Sequence, residues 1–117
     1  MADNKYSILI IEDEKNIASF ISKALSIYKY KVVNAYSGKE GLSLISSLCP
    51  DVILLDLGLP DIDGIEIIKE VRTWSSIPII VLSARINEKD KVEALNLGAD
   101  DYITKPFGTL ELVARIK

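Results

Sequence analysis

Short apolar runs alternate with longer amphipathic segments along the whole chain, a pattern that predicts strands and helices in turn. Five apolar runs are rich in β-branched residues, as strands usually are. The predicted strands are SILII (7–11), KVVNA (31–35), VILLD (52–56), IPIIVLS (77–83) and DYIT (101–104). Between them, apolar residues recur at intervals of three and four, which is typical of a helix with one buried face. The pattern is therefore a strand followed by a helix, repeated five times.

Local residues mark where several of the predicted helices begin and end. Ser37 and Glu40 have the spacing of a capping box and are expected to open the second helix. The third helix is predicted over 64–74, and the fourth is predicted to start at a cap, Asn87, and to end at Gly98. The predicted buried stripe of the first helix consists of Ile17, Phe20, Ile21, Ala24, Leu25 and Tyr28.

The first, third and fourth predicted strands are apolar on both faces, as are central parallel strands covered by helices on either side. Repeated strand–helix units with right-handed crossovers form an open, doubly wound α/β sheet. Ligands of such sheets bind beyond the carboxyl ends of the strands. The polar residues at those ends are Glu12, Asp13, Asp56, Ser83 and Lys105. We therefore expect these five side chains to share one site.

Three carboxylates at one sheet edge would repel each other unless a cation lies between them. Mg²⁺ prefers oxygen ligands and would remove this conflict. Asp56 is then a metal ligand, a nucleophile that forms an acyl phosphate, or both. Lys105 would neutralise the phosphoryl oxygens and Ser83 would donate a hydrogen bond to them. Taken singly, Asp13 could instead cap the first helix, and Asp56 could cap the turn that follows it.

Composition excludes several other kinds of site. The 117 residues, enough for one domain with a core, include no histidine and one cysteine. Zinc sites built on histidine or thiolate clusters, histidine-based catalytic triads and internal disulfides are therefore excluded. The net charge of −3 without a basic cluster argues against direct nucleic-acid binding. No apolar run approaches the roughly 20 residues of a membrane span. We expect a cytoplasmic domain without a membrane partner.

Four motifs, IIEDE, DLGLPDIDG, VLSAR and GADDYITKPF, occur in order and are distributed over nearly the whole chain, from residue 10 to residue 107. Together they resemble the response-regulator receiver domain of bacterial two-component signalling. The resemblance implies the flavodoxin-like five-stranded parallel sheet, with strand order 2-1-3-4-5 and helices on both faces. It also implies that Asp56 accepts a phosphoryl group from a phosphohistidine on a sensor histidine kinase. Such a domain is not an enzyme in the usual sense, since it catalyses only its own phosphorylation and dephosphorylation.

The resemblance also assigns roles to the remaining site residues. Asp13 and Asp56 would bind Mg²⁺, Glu12 would act largely through water, and Gly58 would offer its backbone carbonyl. Lys105 would contact the phosphoryl group. The switch pair would be Ser83 and Tyr102, the hydroxyl moving toward the phosphoryl group and the ring turning inward behind it. Phosphorylation would then favour an active form of the domain.

The C-terminal stretch ADDYITKPFGTLELVARIK resembles receivers of the winged-helix (OmpR/PhoB-like) class, and RTWSSIPIIVLSAR and KPFGTLEL resemble regulators of potassium-uptake (Kdp) operons. Receivers of this class dimerise through the fourth helix, fifth strand and fifth helix. The resemblance assigns to that interface Lys91, Leu95, Asp100, Asp101, Glu111, Val113 and Arg115. Lys91 with Glu111, and Arg115 with Asp100 or Asp101, would form ion pairs between subunits.

The sequence ends inside the fifth predicted helix. We therefore expect residues 1–117 to be a single receiver domain that lacks a C-terminal winged-helix DNA-binding domain, through which any DNA contact would be made. A stand-alone receiver would instead have completed this helix and stopped.

Other functions fit parts of the pattern less well. A phosphatase or mutase usually has a second acid two residues after the nucleophile, where this chain has Gly58. A flavodoxin needs a Ser/Thr/Gly-rich phosphate loop after the first strand, where IEDEKN is acidic. A receiver-like domain that binds partners without phosphorylation stays open as the alternative, although the intact acidic set argues against it.

Overall fold

The computed structural model describes residues 6–83, 88–104 and 108–116. Within these ranges five strands alternate with five helices. The strands are β1 (Ser7–Ile11), β2 (Lys31–Ala35), β3 (Val52–Asp56), β4 (Ile79–Ser83) and β5 (Asp101–Thr104). The helices are α1 (Lys15–Ile27), α2 (Gly38–Leu48), α3 (Gly64–Arg72), α4 (Glu88–Asn96) and α5 (Thr109–Ile116).

All five strands are parallel and form one sheet in the order β2-β1-β3-β4-β5. This confirms the predicted doubly wound fold and its strand order. The registers place Ile11 opposite Leu55, and Asp56 opposite Leu82. Adjacent strands β1, β3 and β4 therefore end together, and the residues that follow them lie at one edge of the sheet.

Alternate residues of the strands pack into two separate cores on opposite faces of the sheet. On one face, Leu9 and Leu55 belong to a cluster completed by buried residues of α2, α3 and α4. On the other face, Ile10 and Leu54 belong to a cluster completed by α1 and α5, including Leu112. Because β1, β3 and β4 are buried from both sides, their sequences are almost continuously apolar.

Two predicted boundaries and two predicted core residues differ from the structure. The fourth strand begins at Ile79 rather than residue 77, since Pro78 lacks an N–H, although its carbonyl accepts a hydrogen bond from Ile53 N. Helix α3 ends at Arg72 rather than residue 74. Phe20 is 50% exposed, because the buried face of α1 is narrower than its apolar stripe. Tyr28 is also exposed, because α1 ends at Ile27 and Tyr28 is only its C-cap. The residues that α1 does bury are Ala18, Ile21, Ala24 and Leu25.

Two of the predicted helix signals are confirmed. Ser37 is the N-cap of α2, and its side chain accepts a hydrogen bond from Glu40 N. The Glu40 carboxylate in turn accepts from Tyr36 N, at 2.8 Å. Gly98 follows the end of α4 with a φ of 117°, a left-handed conformation that favours glycine. The predicted cap Asn87 lies outside the described residues.

Candidate functional site

Three acidic side chains meet where β1 and β3 end. Glu12 follows β1 and is 1% exposed, while Asp56 is the last residue of β3 and is 7% exposed. Asp13 is half-buried beside them. Each of the three offers a carboxylate oxygen, and these oxygens all lie within 4.8 Å of one another. The structure thus brings together three of the five side chains that were expected to share one site.

This donor set fits a hard divalent cation. Carboxylate oxygens are ligands that Mg²⁺ prefers. Three carboxylates this close repel each other, and burial of Glu12 and Asp56 increases the cost of their charge. A bound cation relieves both costs at once, so the residues that would hold it are Glu12, Asp13 and Asp56.

Backbone hydrogen bonds fix the walls of this acidic site. The Glu12 N–H donates to the Ala35 carbonyl at 3.0 Å, which joins the end of β1 to the end of β2. The Glu12 carboxylate accepts from Glu14 N at 3.1 Å, at the start of α1. The Asp56 carboxylate accepts from Gly58 N at 3.3 Å. The site is therefore built from three adjoining segments of backbone.

The two structural alternatives for the acidic residues have different outcomes. Helix α1 is capped by Glu14 without a side-chain hydrogen bond, so the reading of Asp13 as the helix cap is wrong. Asp56 does accept a hydrogen bond within its own turn, from Gly58 N. At 3.3 Å this is a weak contact, and a carboxylate has lone pairs for several partners, so the turn hydrogen bond is compatible with a role as a metal ligand.

The remaining predicted site residues lie on β4 and β5, or beyond the described ranges. Ser83 ends β4 and is 1% exposed, one residue past the register partner of Asp56. Tyr102 lies on β5 and is buried in the core beneath α4. Lys105 lies outside the described residues. The structure thus brings Ser83 to the same sheet edge as Asp56, and it places the Tyr102 ring inside.

Residues 8–117 match the family described as the response regulator receiver domain. This chain belongs to that family. Among curated proteins, the KDP operon transcriptional regulatory protein KdpE of Escherichia coli (strain K12) is 50% identical over 111 residues, which are 95% of this chain and 49% of that protein. KdpE of Mycobacterium tuberculosis (strain H37Rv) is 46% identical over 110 residues, which are 94% and 49% of the two chains.

Solved structures agree with this assignment. The receiver domain of the Francisella response regulator 1452 is 38% identical, with a TM-score of 0.91. The superposition covers 96% of this chain and 93% of that chain. The BeF3-activated N-terminal receiver domain of RstA from Klebsiella pneumoniae is 29% identical, with a TM-score of 0.90 and coverage of 94% of each chain. The predicted similarity to receivers of the OmpR/PhoB class and to Kdp regulators is thereby confirmed.

This receiver domain spans about half the length of the curated relatives that it matches. Receiver domains generally bind Mg²⁺, in keeping with the acidic cluster at the ends of β1 and β3. Within the residues that the structure describes, no helix combines the length and the apolar character needed to cross a bilayer.

The residues assigned to a dimer interface lie on α4, β5 and α5 of the receiver domain, except Asp100, which directly precedes β5. Lys91 and Leu95 are exposed on α4. The Arg115 guanidinium lies 3.1 Å from the Asp101 carboxylate and 3.9 Å from that of Glu111. Both of these contacts are within one chain. The side chain of position 113, in α5, lies outside the described residues.

Asp100 is held differently from its neighbour Asp101. Its carboxylate accepts from Arg72 at 3.1 Å and from Ile79 N at 2.8 Å, so it joins α3 and β4 of its own chain. The Arg72 guanidinium also donates to the carbonyls of Gly98 and Ser75. Asp100 therefore has a structural role that the sequence pattern did not indicate.

The sequence also gave no signal for Asp61, in the loop between β3 and α3. Its carboxylate accepts hydrogen bonds from Gly38 N at 2.8 Å and from Lys39 N at 2.9 Å. These two hydrogen bonds lower the pKa of the Asp61 carboxyl below its ordinary value. The partners lie 23 and 22 residues away in the chain, beyond the reach of local motif spacing.

Proposed function

We propose that this receiver domain accepts a phosphoryl group on Asp56, with Mg²⁺ held by Glu12, Asp13 and Asp56, and that the donor is a sensor histidine kinase. The observation that carries the proposal is the set of three carboxylates whose oxygens lie within 4.8 Å of one another at the end of β1 and β3. The chain has no histidine, so the phosphohistidine would belong to another protein.

In the proposed reaction, a carboxylate oxygen of Asp56 attacks the phosphorus atom, the P–N bond to the donor imidazole breaks, and an acyl phosphate forms. The nucleophile is well positioned, because the preceding residues Ile53, Leu54 and Leu55 are fully buried and hold its backbone in the sheet. Mg²⁺, when bound, supplies positive charge that offsets the charge on the phosphoryl oxygens. Gly58 would contribute its backbone carbonyl to the cation, and Lys105 its ammonium group to the phosphoryl oxygens.

The proposed response to phosphorylation is a population shift toward an active form. The Ser83 hydroxyl would donate a hydrogen bond to the phosphoryl group from the neighbouring strand end. Tyr102 would follow in the space beneath α4, where its ring is already buried. Ser83 ends β4, the strand that precedes α4, and Tyr102 lies on β5, between α4 and α5 in the chain, so their movement would reach both helices.

Dimerisation through α4, β5 and α5 is the proposed output of this shift. The exposed Leu95, together with Val113, would supply apolar contact, and Lys91 would pair with Glu111 of a second copy. Arg115 would exchange Asp101 of its own chain for Asp101 of that copy. Exposed ion pairs contribute only about 0–1 kcal/mol, so this exchange costs little. Asp100 is a poorer candidate, since its carboxylate is bonded to Arg72 and Ile79 N.

In the complete protein, we propose that residues 1–117 form a single receiver domain joined to a C-terminal winged-helix DNA-binding domain. Support comes from the curated relatives, which are transcriptional regulatory proteins about twice the length of this chain. The proposed function of the whole is cytoplasmic regulation of transcription, with a potassium-uptake operon as the proposed target. DNA would be bound by that second domain only.

Intact mass after incubation with acetyl phosphate, with and without Mg²⁺, tests this function. We expect the wild type to gain one phosphoryl group only in the presence of Mg²⁺, and the Asp56→Asn variant to gain none. Asp51→Asn is the matched control, because Asp51 lies at the opposite end of β3 from Asp56, where its carboxylate accepts a hydrogen bond from Ser7 N. It should be phosphorylated like the wild type.

Two outcomes would contradict the proposal. A mass gain that survives in Asp56→Asn would mean that another residue is the acceptor. No gain in the wild type with any phosphoryl donor would favour a receiver-like domain that binds its partners without phosphorylation.

A further inference from the structure

Helix α2 begins on a carboxylate that comes from a different part of the chain. The N–H groups of Gly38 and Lys39, the first two residues of α2, both donate to Asp61. The N–H of Glu40 donates to Ser37 Oγ at 3.1 Å. The first three amides of a helix lack partners within the helix, and here all three have an acceptor from the protein. Two of these three acceptor contacts connect α2 to the β3–α3 loop.

The loop and the helix also touch directly at Gly38. A Cβ atom added to Gly38 would lie 3.0 Å from Ile62 Cβ, 3.1 Å from Ile67 Cδ1 and 3.3 Å from Asp61 Oδ1. A side chain at this position would therefore push the loop away from the helix. The absence of one lets the two backbones approach closely enough for both hydrogen bonds to Asp61.

The β3–α3 loop starts at the acidic site, so its position matters for the proposed chemistry. Gly58 N donates to the Asp56 carboxylate, and the Leu57 carbonyl accepts from Gly64 N at 3.0 Å. The loop is thus fixed at Asp56, at the start of α3 and, through Asp61, at the start of α2. Of these three contacts, only the one made by Asp61 joins the loop to a segment outside the β3–α3 unit.

Helix α2 is in turn fixed against the other wall of the acidic site. A Cβ added to Gly41 would lie 2.6 Å from Ile11 Cδ1, so the first turn of α2 packs tightly on the end of β1. The Ala35 carbonyl, just before α2, accepts from Glu12 N. The end of β2 and the start of α2 therefore contact both walls of the site: Ala35 accepts from Glu12 N, and Gly38 and Lys39 donate to Asp61.

We propose that Asp61 is a positioning residue for the phosphorylation site. Its two hydrogen bonds to α2 hold the loop that carries Gly58 at a fixed distance from the strand end that carries Glu12. Asp61 itself is assigned no contact with the cation or the phosphoryl group, since its two carboxylate oxygens accept from Gly38 N and Lys39 N. The inference rests on the proposed function of the acidic site, and it adds Asp61 to the residues that position the backbone of that site.

The test compares Asp61→Ala and Asp61→Asn with Ser37→Ala, using the whole chain. Ser37→Ala is the matched control, since it removes an acceptor from the same first turn of α2 but leaves the loop attached. Four properties are measured for each protein: unfolding by urea, amide hydrogen exchange over residues 57–63 without Mg²⁺, the Kd for Mg²⁺ by calorimetry, and the rate of phosphorylation by acetyl phosphate.

We expect Asp61→Ala to speed amide exchange in the loop, and to weaken Mg²⁺ binding and slow phosphorylation by about tenfold, the lower end of the effects seen for residues that orient metal ligands. Asp61→Asn keeps one carbonyl acceptor and should fall between Asp61→Ala and the wild type. Ser37→Ala should stay within about twofold of the wild type in Kd and rate, even where its loss of stability is as large.

Equal changes of Kd and rate in Asp61→Ala and Ser37→Ala would overturn the inference, because a loss of helix stability would then explain both. Wild-type loop exchange and wild-type Kd in Asp61→Ala would also overturn it. If Asp61→Ala fails to fold, Asp61→Asn decides by the same criteria. A wild type that neither binds Mg²⁺ nor becomes phosphorylated would contradict the proposed function instead, and loop exchange would still show whether Asp61 holds the loop.

Discussion

Helices α3 and α4 have nine residues each and cover the same face of the sheet, but they are anchored very differently. The buried residues of α3 are Gly64, Ile65, Ile67, Ile68 and Val71. Helix α4 buries only Ala94, while Val92 and Leu95 are 46% and 38% exposed. The helix that follows the acidic site is therefore part of the rigid core. The helix on the proposed dimer face has few contacts to lose and can move at low cost.

The Arg72 side chain joins the C-terminal end of α4 to α3. Arg72, at the end of α3, donates to the carbonyl of Gly98 and to the carboxylate of Asp100, both just after α4. A Cβ added to Gly98 would lie 2.8 Å from the Arg72 Nε atom, so the two segments are in tight contact. The C-terminal end of α4 is thus fixed to α3, while its outer face is not covered.

The largest expected difference between the two helices is in their buried contacts. Ile68→Ala in α3 should lower the free energy of unfolding by about 2–5 kcal/mol, since it opens a cavity in the core. Val92→Ala in α4 should change it by less than about 0.5 kcal/mol, because Val92 is exposed. Urea unfolding of both variants measures the two values. Similar losses would show that α4 is as firmly packed as α3.

A smaller effect is expected from the contact that joins the helices. Arg72→Ala should cost about 1–2 kcal/mol of unfolding free energy through its lost hydrogen bonds. It should also speed amide exchange over residues 97–100. Lys69→Ala, on the same helix, removes only an exposed ion pair with Glu66 and should cost less than about 0.5 kcal/mol. If Arg72→Ala leaves exchange over 97–100 unchanged, Arg72 does not anchor the end of α4.

The smallest effect concerns the loop that leads into α3, and it depends on pH. Hydrogen bonds from Gly38 N and Lys39 N lower the pKa of Asp61 in the folded protein. A lowered pKa stabilises the fold above the unfolded-state value of about 4, and this stabilisation is lost as the pH falls through the folded-state pKa. The stability difference between wild type and Asp61→Asn should therefore be constant near neutral pH and shrink in acid.

Urea midpoints measured from roughly pH 7 down to roughly pH 3 give this difference directly. Ser37→Ala serves as the reference, because the hydrogen bond that it loses involves no titrating group. Its loss of stability relative to the wild type should therefore not follow the titration of Asp61. If Asp61→Asn is less stable than the wild type by the same amount at every pH, the acceptor for the first amides of α2 is not a charged Asp61.

The sequence was a good guide wherever one local feature determines structure. Strand β3 was predicted at its observed bounds, because apolar β-branched and leucine residues run unbroken up to Asp56. The proximity of the acidic residues could then be predicted, since residues that follow the carboxyl ends of adjacent parallel strands lie at the same edge of the sheet. Phe20 was misplaced because apolar spacing gives the direction of a buried face but not its width. The partners of Asp61 and Asp100 were missed because they depend on contacts between distant segments.

The long-range start of α2 has a consequence for the order in which the chain is completed. When residues through the end of α2 have emerged from the ribosome, the amides of Gly38 and Lys39 still have only water as a partner. Their acceptor is translated 22 residues after Lys39, once β3 has followed. The second helix can therefore reach its final form only when the strand that bears Asp56 is in place. A nascent chain that ends before β3 would therefore lack both the capped form of α2 and the acidic site.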